Sequence, residues 1–98
     1  MNSEKREFLS LAHPPARLGL TETAWLLGFT EHDLSLLVSA GLLKPLGRPP
    51  PSGSKHFATV ELQTLRCDAR WLARASDALV RHWRMKNGRR NKRPDGNI

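Results

Sequence analysis

Apolar residues recur at helical spacing in four stretches of the chain, and glycine, proline and capping residues separate them. Residues 3–12 carry Phe8, Leu9, Leu11 and Ala12, with Ser3 as the cap. His13-Pro14-Pro15 ends that helix, because proline lacks an N–H and disfavours helical geometry in the residue before it. Thr21 is the predicted N-cap of a helix over 22–27 that turns Ala24, Leu26 and Leu27 inward. Gly28 suits the left-handed position that stops a helix. Thr30 then caps a second helix, with Asp33 completing a capping box and Leu34, Leu37 and Val38 at helical spacing. Gly41 closes it. Two short helices split by Gly28-Phe29-Thr30 form a helix-turn-helix pattern.

Residues 44–56 hold four of the seven prolines and two of the seven glycines, so this stretch is a loop with its tip near Arg48–Ser54. Leu42-Leu43 before it and His56-Phe57 after it are placed to pair as two short strands, a hairpin or wing. Thr59 is the predicted cap of a third helix that starts at Val60. Leu62, Leu65, Ala69, Leu72, Ser76, Leu79 and Trp83 alternate steps of three and four along it. Trp71 falls off this stripe, beside Cys67 and Ala78. Neither glycine nor proline interrupts the stretch before Gly88, so one helix of about 27 residues, roughly 40 Å long, is expected. The residues from 87 onward are charged or polar, with Ile98 the one large hydrophobe, and are expected to be a disordered tail.

Charge adds a direction to this outline. The 98 residues carry 16 Lys+Arg against 9 Asp+Glu, a net +7. Residues 1–61 balance, and residues 62–98 hold the whole excess. An anionic partner reached by the C-terminal third follows, nucleic acid before an acidic lipid surface. The chain is short enough to build one small core only, and it has no apolar run of membrane-spanning length. Its first residues show no secretory leader, so a cytoplasmic location is expected.

Thr21-Glu22-Thr23-Ala24-Trp25-Leu26-Leu27-Gly28-Phe29-Thr30, then Leu34, Gly41-Leu42-Leu43, Pro45, Arg48, Gly53, Lys55, Phe57, Glu61-Leu62 and Leu65, follow a specific order and spacing. Over about residues 20–65 the chain resembles the MerR/excisionase-type winged helix-turn-helix family. The resemblance implies a mainly α fold: a small winged helix-turn-helix with a short β-hairpin wing and a long C-terminal helix. It divides the chain into an N-terminal extension (1–20), a winged core (21–65), a continuation of the long helix (66–86) and a basic tail (87–98). Proteins of this kind bind double-stranded DNA as transcription regulators or as excisionase-like architectural factors, and a nucleoid association would follow.

On that reading the second helix enters the major groove with His32, Ser35 and Ser39, and the wing sets Lys44, Arg48, Lys55 and His56 along the backbone. Arg89, Arg90, Lys92 and Arg93 of the tail add affinity without reading sequence. The chain departs from the family in two places. Phe57 stands where a tyrosine is usual, and residues 18–43 carry three acids and no base, where Arg or Lys is usual at His32 and Ser35. The alternative is therefore a protein-interaction module with a degenerate helix-turn-helix, exposing Leu36, Leu37 and Trp25, whose tail holds nucleic acid non-specifically.

The stripe on the long helix outruns a core this small and must be covered. Leu72, Leu79 and Trp83 either pair with a second copy of the chain, as MerR-like regulators do, or lie under the folded-back N-terminal helix. Chemistry of other kinds is poorly served. The four histidines and Cys67 show no metal-ligand spacing, no phosphate-binding glycine loop is present, and no nucleophile–base pair falls within reach. Cys67 is expected to be a buried small hydrophobe. Neither a cofactor nor an enzymatic activity is expected.

Overall fold

The computed structural model describes residues 3–50 and 52–90, with side chains up to Asn87. It is mainly helical. Five helices, α1 (Ser3–Leu9), α2 (Leu20–Leu27), α3 (Glu31–Ser39), α4 (Thr59–Arg66) and α5 (Ala69–Arg90), are accompanied by a two-stranded antiparallel sheet of β1 (Arg17–Leu18) and β2 (Phe57–Ala58).

The turn between α2 and α3 follows its expected chemistry. Gly28 sits at φ 85°, which lets its N–H and that of Phe29 both reach the Ala24 carbonyl. Thr30 and Asp33 form the reciprocal capping box: the Asp33 N–H donates to the Thr30 hydroxyl at 3.0 Å, and the Thr30 N–H to the Asp33 carboxylate at 3.1 Å. Gly41, at φ 79°, follows the last turn of α3 and frees Leu42 to turn back and bond the Leu37 carbonyl.

Elsewhere the outline changes. α2 starts at Leu20 with Gly19 as its N-cap, so Thr21 is not the cap; its hydroxyl instead donates to Glu31 on α3 at 2.9 Å. The partner of β2 is not Leu42-Leu43. Arg17 pairs with Ala58 and Leu18 with Phe57, which makes the end of the expected N-terminal extension part of the domain. Between Leu43 and His56 one backbone bond, from the Leu46 N–H to the His56 carbonyl at 2.7 Å, closes the proline-rich loop. α4 begins at Thr59, one residue early, because the Thr59 N–H and hydroxyl are both engaged by the carbonyls of Ala16 and Pro15.

The long helix is broken. Cys67 and Asp68 separate α4 from α5, and Asp68 caps the new helix by accepting from the Trp71 N–H at 3.0 Å. The break resets the phase of the apolar face. Trp71, Ala75 and Leu79 are buried at i, i+4 and i+8, while Ala69 and Ser76 of the expected stripe are exposed. Cys67, at the elbow, is exposed instead of buried. α5 continues in helical form to Arg90, beyond the expected start of a disordered tail; residues 91–98 of that tail lie outside the described residues.

The core sits where these elements meet. Leu18 and Phe57 of the sheet, Ala24 and Leu27 of α2, Leu34 and Leu37 of α3, Leu43 and Leu62 close around the inward face of α5. Leu37, expected exposed in the docking alternative, is fully buried, and Leu36 is packed partly buried against the same core. α1 packs on α2 through Phe8 and Trp25, ring centres 5.8 Å apart, and so covers Trp25 rather than α5.

Candidate nucleic-acid interface

α3 is held on two sides and open on a third. Leu34 and Leu37 point into the core, and Asp33 faces the groove that α3 makes with Leu79, Val80 and Trp83 of α5. Glu31, Ser35 and Ser39, spaced by four, remain as an exposed strip. Ser35 donates to the Glu31 carbonyl at 3.5 Å and stands at the edge of a recess of roughly 400 Å³. The start of α2, from Gly19 to Glu22, and the end of the loop, from Gly53 to His56, complete that recess.

The loop is shaped for this. The Gly53 N–H donates to the Pro50 carbonyl at 2.8 Å, and a side chain at Gly53 would meet the Pro50 ring at 2.9 Å, so only glycine lets the chain turn there. Lys55 follows, half-buried, with Nζ donating to the Gly53 carbonyl at 3.4 Å. His56 is also half-buried, its carbonyl fixed by Leu46. Three of the residues singled out in the sequence, Ser35, Lys55 and His56, thus line one recess. Lys44 and Arg48 are exposed on the outgoing limb of the same loop, and Ser39 lies at the far end of α3.

His32 has a different setting. It is exposed, and its ring lies 5.6 Å from that of Trp83 on α5, at 52°. Lys86 also reaches the indole, with Nζ 4.9 Å from the Trp83 ring centre, a cation–π contact. Trp83 is thereby half-covered by its own chain, Leu72 is half-buried, and Leu79 is buried in the core. Leu79 belongs to the core and borders the groove between α3 and α5. Arg89 and Arg90 belong to the last turn of α5, and Lys92 and Arg93 lie outside the described residues.

Compared with known protein families, with curated proteins and with solved structures, the chain matches none.

The electrostatics of the recess are mixed. Glu22 lines it with Lys55, and Glu31 beside it holds the Thr21 hydroxyl. Arg17, in the strand that leads into Gly19, is exposed and comes from a segment expected to lie outside the domain. The residue that sequence reasoning most clearly missed is Trp71. It is buried at the α4–α5 elbow, its ring near perpendicular to that of Phe29 with centres 6.2 Å apart. Its signal lies in Asp68-Ala69-Arg70-Trp71, an N-cap acid three residues before a large apolar side chain. Among the described residues no group of three His, Cys, Asp or Glu side chains could hold a metal, and no helix is long and apolar enough to cross a membrane.

Proposed function

We propose that the chain binds double-stranded DNA as a winged helix-turn-helix of the MerR/excisionase type, acting as a transcription regulator or an architectural factor on the nucleoid. α3 is the helix that enters the major groove, and the loop 44–56 is the wing. The observation that carries this reading is the shared recess. Ser35 on α3 stands beside Lys55 and His56 of the loop, so one approach of a duplex meets helix and loop together. Arg17, Lys44 and Arg48 are exposed cations on the strand and loop that flank it. Small side chains on the open strip of α3 allow close approach, and Ser35 and Ser39 offer hydroxyls that can donate or accept at base edges. No catalytic role belongs to this proposal.

Titration of a fluorescent random-sequence duplex by anisotropy, at about 50 and about 200 mM salt, tests it. Affinity is expected to fall steeply with salt, and Lys44→Gln with Arg48→Gln to weaken it. Absence of binding at the lower salt would sink the proposal.

A second reading has its own observation. Glu31 occupies the open strip and is held there by Thr21, which sets a carboxylate toward any approaching phosphate. A protein-interaction module would tolerate that charge. It differs in one outcome: deletion of residues 87–98 would abolish all duplex binding, whereas the winged reading leaves binding that still depends on Lys44 and Arg48.

A further inference from the structure

α3 carries no lysine or arginine of its own, but two other parts of the molecule border its exposed side. Successive residues turn about 100° around a helix, so Ser35 stands about 60° to one side of His32 and Asp33 about 100° to the other. Ser35 borders the recess that residues 53–56 of the loop complete. Asp33 lines the groove that α3 makes with Val80, Trp83, Arg84 and Asn87 of α5. The loop and the C-terminal half of α5 therefore flank α3 on roughly opposite sides, with exposed His32 between them. Where α5 meets this face it is cationic. Leu79, Trp83 and Lys86 fall within about 60° of one another around α5. Leu79 is buried, the Trp83 ring lies 5.6 Å from that of His32, and Lys86, farther along the same side, is exposed. Arg84 is also exposed and lines the groove. The acid in that groove, Asp33, has its carboxylate on the Thr30 N–H at 3.1 Å.

We infer that Arg84 and Lys86 bind phosphates of the same duplex that α3 and the loop hold, on the strand across the groove from the loop. The inference rests on the function proposed above and deepens it. A helix seated in a major groove has a phosphate backbone on each side, and contacts to both fix its register. The loop serves one side, and the end of α5 serves the other. The Lys86 Nζ lies 4.9 Å from the Trp83 ring centre. That distance and the one from Trp83 to His32, added together, hold Nζ within about 10.5 Å of the His32 ring centre, less than the roughly 12 Å width of a major groove. A His32 at the base edges thus leaves Lys86 at the groove wall. Its ammonium has three donors, so it keeps the indole on one side and bonds phosphate oxygens on another. Arg84 adds a planar fork that suits phosphate. The cations that α3 lacks are supplied by the helix packed beside it.

Anisotropy with a random-sequence duplex tests this on the full chain, with circular dichroism to check the fold of each variant. Arg84→Gln with Lys86→Gln is expected to weaken binding at least fivefold at about 100 mM salt, and to lower the slope of log affinity against log salt by about 2. Arg66→Gln with Arg70→Gln removes the same charge at the α4–α5 elbow and is expected to bind like the wild type. Arg70 lies about 24 Å from Lys86 along α5, more than two Debye lengths at that salt. Equal losses in the two pairs overturn the inference, because net charge alone then explains them. An Arg84→Gln/Lys86→Gln variant with wild-type affinity and slope overturns it too. Crosslinking tests the placement and leaves every cation intact. In a Cys67→Ser background, Ser54→Cys and Asn87→Cys each carry a photoreactive label. The doubly labelled protein is expected to join both strands of one duplex in a single species on a denaturing gel, whereas attachment to one strand only overturns the inference. The two levels fail separately. A wild type that binds no duplex at about 50 mM salt removes the proposed function and this inference with it. If Lys44→Gln/Arg48→Gln weakens binding and Arg84→Gln/Lys86→Gln does not, the function stands and this inference alone falls.

Discussion

The indole N–H of Trp71 donates to the backbone carbonyl of Leu42 at 2.8 Å, tying the first turn of α5 to the turn that follows α3. Trp71 is 3% exposed, so the bond is made where water does not readily replace it. Trp71→Phe keeps most of the ring and removes the donor. It is expected to cost about 1–3 kcal/mol, the penalty of leaving a desolvated carbonyl unpaired. Trp71→Ala should cost about 3–5 kcal/mol through the cavity it opens. Urea unfolding followed by circular dichroism measures both, and a Trp71→Phe variant as stable as the wild type would show that the hydrogen bond contributes nothing of its own.

Thr23 is the opposite case. Its side chain is fully buried in α2, and its hydroxyl has no hydrogen-bond partner. Thr23→Val preserves the shape and replaces the hydroxyl with a methyl group, and the two residues have similar helix propensity. The variant is expected to be more stable by about 1 kcal/mol. A higher denaturation midpoint at unchanged urea dependence is the sign to look for; a lower midpoint would mean that the hydroxyl is satisfied in solution.

Gly28 isolates a backbone effect. A Cβ added there meets nothing within 4 Å, so space is no obstacle, yet φ is 85°. Gly28→Ala is therefore expected to destabilise by about 1–2 kcal/mol through conformational strain alone. Thr30→Ala, two residues on, removes the capping box and should cost a comparable 0.5–2 kcal/mol or so. Thermal unfolding of the two variants and the double variant would show whether the turn and the cap act independently.

The salt dependence of DNA binding gives a charge count. Every phosphate that the protein ceases to neutralise should reduce the slope of log affinity against log salt by about 0.9. Lys44→Gln and Arg48→Gln are expected to lower it by about 1 each. A changed affinity with the slope unaltered would mean that these side chains act on the loop's shape instead of on phosphate.

How far the fold could be read from the sequence depended on how local its signals were. The end of α2, the box at Thr30 and Asp33 and the stop at Gly41 are each decided within a few residues, and all were legible. The break at Cys67-Asp68 was not, because no glycine or proline marks it and aspartate is tolerated inside helices. An unbroken helix puts the wrong face of α5 inward and exchanges Trp71 for Ser76. It also leaves Leu79 on an uncovered stripe, whereas the observed helix turns it into the core. The sheet was misplaced for a related reason. Two-residue strands have no periodicity to detect, and Arg17-Leu18 reads as the tail of a proline-rich leader. Of the candidate site, the approach of Ser35 to Lys55 and His56 is a tertiary fact. Residue type and order could nominate these three, but only the loop's closure at Leu46 and His56 brings them to one recess.

The small sheet also bears on the order in which the chain folds. α2, α3 and the proline-rich loop all lie between its two strands, and the carbonyls of Pro15 and Ala16 fasten the first residue of α4 beside it. Its closure joins distant residues, whereas the turn at Gly28 needs only neighbours, so the turn can form early and the sheet is expected to form late. A late contact governs escape from the native state more than arrival at it. Leu18→Ala should accordingly speed unfolding in stopped-flow experiments and leave refolding nearly unchanged, which makes two residues near the N-terminus the clasp that sets the lifetime of the folded protein.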